Sequence, residues 1–141
     1  FGVEQEANQP LLLRSALQVN PDGSLRMHTE LPVGRNAHLM IGSASNCLQA
    51  AEQAASLALQ GLNGTRPVLG LVLVDTAWRS LLEARAGDEI QAVQRVLGDE
   101  IPLTGGYVFG QLARSGIPEP GKGAPELFNQ SLEVILFGES E

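Results

Sequence analysis

Residues 67–74 (PVLGLVLV) most restrict how this chain folds. The run is apolar throughout apart from Gly70, and it lacks the alternating polar positions of a strand with one wet face. It reads as a central strand covered on both faces, and it ends abruptly at Asp75. The rest of the chain must supply the layers around it.

Upstream, residues 11–19 are strongly apolar and stop at Asn20-Pro21-Asp22-Gly23, four residues that each favour a turn. In residues 24–31, Leu25, Met27, Thr29 and Leu31 point one way and Arg26, His28 and Glu30 the other, so the two runs are expected to form a hairpin. Residues 37–41 read as a third strand after the Pro32-Val33-Gly34 break. Residues 45–61 change period and predict a helix, with Asn46 as cap, Gln49 as capping-box partner and Gly61 as terminator. Its stripe of Cys47, Ala51, Ala54, Ala55 and Ala58 is small enough to approach a sheet closely. A second helical stretch, in two pieces around Gly87, buries Ile90, Val93, Val96 and Leu97 and ends at Gly98. Residues 101–109 and 131–137 complete the strands, with a long loop over 113–127 between them.

The expected class is α+β: a mixed, mostly antiparallel sheet of about six strands with two main helices packed on one face. The β-α-β stretch after residue 67 is the place for a parallel pair. Residues 1–10 (FGVEQEANQP) read as a tether or tail, and residues 11–141 as a single domain. Phe rather than Met stands first, so the sequence is expected to begin inside a longer natural chain or after processing.

Composition removes several classes of function. A chain of 141 residues buries roughly 70% of its unfolded surface, enough for a core without disulfides or metal. The formal net charge of −7, with no clustered Lys/Arg stripe, argues against nucleic acid as a partner. No apolar run approaches the ~18 residues that cross a bilayer, so no membrane partner is expected either. Cys47 is the only cysteine, which excludes an intrachain disulfide framework and a cysteine-based zinc knuckle.

The chemistry-bearing candidates start where the apolar run ends. Val74-Asp75-Thr76-Ala77-Trp78-Arg79 delivers an acid, a hydroxyl, the only Trp and a guanidinium to one strand end. In one reading, Arg79 offers a carboxylate-binding fork beside an aromatic wall. In the other, Asp75 caps the next helix and Arg79 pairs with Glu83. Both stand. Gly105-Gly106 and Gly110 mark a strand that something approaches closely, with helix packing favoured over a ligand. His38 shares strand spacing with Met40, a haem-type combination, but lone strand histidines are more often solvated or hydrogen-bonded. Asn129 serves either the long loop or a ligand. The pairs Asp88-Glu89 and Asp99-Glu100 sit near helix ends, where the dipole accounts for them. GxSxG, GxxxxGK[ST] and GxGxxG are all absent, so nothing marks an enzyme.

Taken in order, "LLLRSALQV", "LPVG", the Ala-rich helix, "VLVDTAWR", "EIQAVQRVLG", "IPLTGGYVFGQLA" and "FNQSLEVILFG" resemble the C-terminal portion of FIST domains, from about Leu11 to Gly138. These are sensory modules of signal transduction. The resemblance implies a cytoplasmic, non-enzymatic bacterial input domain that binds a small ligand, an amino acid or other carboxylate among the proposals. The signal passes to a kinase or a cyclic-nucleotide enzyme. Arg14, Gly34, Asp75, Arg79, Pro102, Gly106, Gly110 and Asn129 match positions typical of the family. Thr76 stands where the family often has Cys, and Gln111 where it often has Glu, so both bear on ligand identity. One branch binds haem as a nitric-oxide sensor, although this sequence assigns no axial ligand. The leading expectation is a ligand pocket built from Asp75, Trp78 and Arg79 with the strand over 105–111 nearby. The alternative is an interaction half of a two-part sensor, docked on an N-terminal FIST portion, with Trp78 exposed until that portion binds.

Overall fold

The computed structural model describes residues 1–5, 11–113 and 125–139, and its centre is β6 (Pro67–Asp75). β6 pairs antiparallel with β10 (Leu132–Gly138) and parallel with β7 (Leu103–Val108), giving the order β10-β6-β7. The parallel pair is the expected one. Its crossover runs through α2 (Thr76–Leu82), a 3-10 turn (Glu83–Arg85) and α3 (Asp88–Leu97).

Alternation along β6 sends Val72 and Val74 to one face, where each is almost fully buried. There they meet Cys47, Ala51 and Ala55 of α1 (Ala44–Gly61) and Ala92 and Val93 of α3. The two alanines of α1 have no exposed surface, and their small side chains let the helix lie close. The small-residue stripe and the buried Val93 stripe are thus where the periodicity placed them. Leu71 and Leu73 point the other way and are only half-buried, and on β10 Ile135 and Phe137 are exposed. The central strand is therefore sealed on one face, not on both, because the helices gather on one side.

Strand pairing differs from a single sheet of about six strands. β1 (Gly2–Val3) lies between β2 (Leu12–Leu13) and β5 (Ala37–His38), antiparallel to each. β3 (Ala16–Val19) and β4 (Leu25–Met27) form a separate ribbon, as do β8 (Gln111–Ala113) and β9 (Glu126–Phe128). The class is α+β, mostly antiparallel, divided among four small sheets.

Three local expectations are corrected. Residues 1–5 are not a loose tether: Val3 is 2% exposed and Arg14 N–H donates to Phe1 O at 2.8 Å. Residues 6–10 and the loop stretch 114–124 lie outside the described residues. The apolar run over 11–19 is broken at Arg14-Ser15, and the hairpin it forms with β4 leaves all of β3 exposed. The cap of α1 is Ser43, three residues before the expected Asn46, and its Oγ accepts from Asn46 N–H at 3.2 Å.

Candidate functional site

A cleft of about 570 Å³ opens between β7 and the N-terminus of α3, floored by Val72 and Val74. Its polar groups come from three elements. Glu89, in the first turn of α3, is fully buried. Gly87 N–H donates to its Oε2 at 2.7 Å, which satisfies a backbone donor that the start of a helix otherwise leaves unmet. Tyr107 OH donates to Oε1 at 2.5 Å. Two hydrogen bonds to a charged acceptor are what make burial of this carboxylate tolerable. Arg79 of α2 completes the rim, its Cζ 5.8 Å from the centroid of the Tyr107 ring. Such a contact contributes about 0.5–1 kcal/mol at an exposed site.

Arg79 makes no ion pair with Glu83. The helix ends at Leu82 and Glu83 turns to φ +49°, which destroys the i,i+4 geometry that pairing requires. The guanidinium is left facing the cleft mouth, without a carboxylate within 4.0 Å among the described residues.

Burial, then the Glu89 hydrogen bond, pushes the Tyr107 phenol up to about 12 from 10.0. The folded pKa lies above the unfolded one, so this contribution to stability is fully present below about pH 10 and is lost as pH rises through about 12. Tyr107 is the only tyrosine, so tyrosinate absorbance reads it alone. A folded-state midpoint near 10, unchanged by denaturant, would contradict the Glu89 bond.

The other expected site residues gather elsewhere, around the bend over 129–131. Asp75 Oδ1 accepts from Ala77 N–H and Oδ2 from Gln130 N–H, each at 2.9 Å. Trp78 Nε1–H donates to Gln130 O at 2.9 Å. Gln111 donates to Leu73 O at 2.9 Å, and Ser131 Oγ donates to its Oε1. Asn129 Nδ2 donates to His28 Nδ1 at 2.7 Å, and Arg14 Nη1 to Leu127 O at 2.7 Å. Gly110, at φ +109°, lets Asn129 approach: a Cβ there would stand 3.1 Å from its Nδ2. Arg14 Nε and Asn129 Oδ1 are sealed without a partner among the described residues. Thr76 opens α2, half-buried, and takes no part in this network.

The expected joint pocket of Asp75, Trp78 and Arg79 is therefore split. Successive helix positions diverge by about 100°, so Trp78 and Arg79 face different cavities. Trp78 is 6% exposed and borders a smaller, largely apolar cavity of about 260 Å³ with Leu13, Met40, Cys47 and Leu81. An interaction reading that needs an exposed Trp78 does not match this placement. Of the expected residues, Arg79 and Gly106 line the cleft, joined by Glu89 and Tyr107. Glu89 looked like a helix-end carboxylate. The signal that finds it is strand alternation, which puts Tyr107 on the face of Val74 and so opposite α3.

The sequence model of the FIST C domain family matches residues 1–114, which include β1 and every residue of the cleft. The chain belongs to that family. FIST C domains are sensory domains of signal transduction. The match starts at Phe1, inside the stretch read as a tail, and stops before the "FNQSLEVILFG" segment. No curated protein and no solved structure matches the chain. No helix among the described residues is long and apolar enough to cross a membrane.

Neither histidine stands free at a cavity, as an axial haem ligand would, among the described residues. His28 is bonded to Asn129, His38 lies 2.9 Å from Glu4 Oε1, and neither lines a cavity described above. Burial, with the Glu89 carboxylate adding to it, pushes the Cys47 thiol up and so disfavours the thiolate that a metal takes.

Proposed function

We propose that this FIST C domain is a non-enzymatic, cytoplasmic input domain of bacterial signalling, sensing a small carboxylate-bearing ligand, amino acids included, in the cleft between α3 and β7. The carrying observation is Arg79: a guanidinium over the Tyr107 ring, at the rim of an apolar-floored cleft, with no carboxylate bound to it among the described residues. Desolvated on one side by the ring, it suits a bidentate contact with a ligand carboxylate. The net charge of −7 makes an unpaired cation at a cleft more selective, since the surrounding field repels anions that lack a specific partner. The occupied cleft would be read by a kinase or a cyclic-nucleotide enzyme.

A thermal-shift screen of the amino acids and other small carboxylates tests this. A ligand at 100 times its Kd stabilises the fold by about 2.7 kcal/mol. Arg79→Ala, at an exposed position, should itself cost no more than the ring contact it removes, about 0.5–1 kcal/mol. It should weaken the ligand roughly tenfold or more, because the contact it removes is charge-assisted. No response to any carboxylate, or a response that survives Arg79→Ala intact, overturns the proposal.

A further inference from the structure

β7 is an edge strand: its inner side pairs with β6, and no strand among the described residues pairs with its outer side. Edges of this kind are usually guarded by Lys, Pro or a covering element, because their free N–H and C=O groups attract another strand. Here the exposed residues are Thr104, Gly105, Gly106 and Tyr107, without a charge among them and with two lacking any side chain. The same residues form one wall of the cleft. Gly70 N–H donates to Pro102 O. The alternation of a parallel ladder then turns the main-chain N–H and C=O groups of Thr104 and Gly106 inward to β6, and those of Gly105 and Tyr107 outward. The free edge of β7 beside the cleft thus presents main-chain donors and acceptors at strand spacing, with the Arg79 cation at its Tyr107 end.

We infer that the ligand of this cleft is a short peptide with a free C-terminal carboxylate, which adds to the outer edge of β7 as a parallel strand. This rests on the sensing function proposed above and names the class of ligand. The orientation follows from the position of Arg79 beside Tyr107, near the C-terminal end of β7. A carboxylate held there makes the peptide run in the same direction as β7, continuing the parallel β6–β7 pairing. Gly106, where a Cβ would meet nothing within 4 Å, and the lack of charge along the edge put recognition on the main chain and its terminal charge.

Calorimetric titration with tri-alanine, alanine and three altered tripeptides tests this. Tri-alanine should bind roughly tenfold or more tighter than alanine, since it adds edge hydrogen bonds to the shared carboxylate contact. Its C-terminal amide should bind roughly tenfold or more weakly and lose its dependence on Arg79. Successive N–H groups of a strand point to opposite sides. N-methylation at the second or the third residue should therefore have unequal effects, one isomer weakened roughly three- to tenfold and the other nearly unchanged. Hydrogen exchange at the Gly105 amide should slow when tri-alanine binds. If tri-alanine is no tighter than alanine, or the two N-methyl isomers are equal, the peptide assignment is overturned while Arg79-dependent binding of small carboxylates stands. Loss of every Arg79-dependent response, to free amino acids and peptides alike, overturns the sensing function itself.

Discussion

Gly105→Ala is expected to abolish stable folding or to cost about 4 kcal/mol or more, while Gly106→Ala, one residue on, should stay within about 1 kcal/mol of the parent. Gly105 sits at φ +145°, and a Cβ there would lie 1.8 Å from Val72 O. That distance is well inside contact, and the obstacle is backbone. Val72 lies in the central strand, buried against both long helices, so it has nowhere to retreat. The strained backbone alone costs on the order of 1–3 kcal/mol. Relief of the overlap would also require opening the Val72↔Gly105 register. At Gly106 a Cβ meets nothing within 4 Å, and no positive φ has to be held. Urea midpoints for the two variants, measured side by side, decide the matter. Equal midpoints would show that the two glycines are interchangeable, and the described approach of β7 to β6 would be wrong.

The approach of two backbones was legible in the Gly-Gly pair, but its partner was not. The Ala-rich helix was the natural candidate, whereas the close neighbour is Val72 O of β6. This pattern recurs. The apolar run over 67–74, the small-residue stripe of α1 and the Ile90/Val93 stripe of α3 each announce an element, because burial imposes a period on the sequence. Which strands pair is a different matter. An alternating pattern marks a wet face but carries no label for the partner, so β1 looked like a tail and four small sheets looked like one. Residues singled out by the family resemblance pose a similar problem. Arg14, Asp75, Gln111 and Asn129 are expected ligand contacts, yet each is at most 8% exposed and hydrogen-bonded to backbone or to another side chain. A buried polar group must find a partner wherever it is, so it builds a scaffold as readily as a site. Tyr107 and Glu89 were missed for the converse reason. Their pairing joins a strand to a helix eighteen residues away in sequence, and strand alternation places Tyr107 on the helix side without naming its partner.

Asp75→Ala distinguishes scaffold from ligand contact at the residue where both readings were open. Its carboxylate is 4% exposed, caps α2 through Ala77 N–H and holds Gln130 N–H, while its own N–H donates to Ser131 O. Removing the side chain strips a helix cap, at about 1 kcal/mol. It also leaves the Gln130 donor without its charged acceptor, at about 1–3 kcal/mol. A total near 3 kcal/mol is expected as a fall in the urea midpoint without a change in slope. Gln130 is held at φ +53° by this bond and by Trp78 Nε1–H on its carbonyl, so the strained bend loosens with it. Trp78, the only tryptophan, should then report the change as altered fluorescence. Asp75→Asn retains one acceptor and meets one of the two donors with an N–H, so it should fall between the parent and the Ala variant. A residue that contacted ligand and did nothing else would behave in the opposite way, with the urea midpoint unmoved by Asn and only binding lost. Because Asp75 fixes the first turn of the helix that carries Arg79, the scaffold role also predicts weaker ligand binding in the Ala variant. That loss should be smaller than the one caused by Arg79→Ala, since the guanidinium is still present but less well positioned.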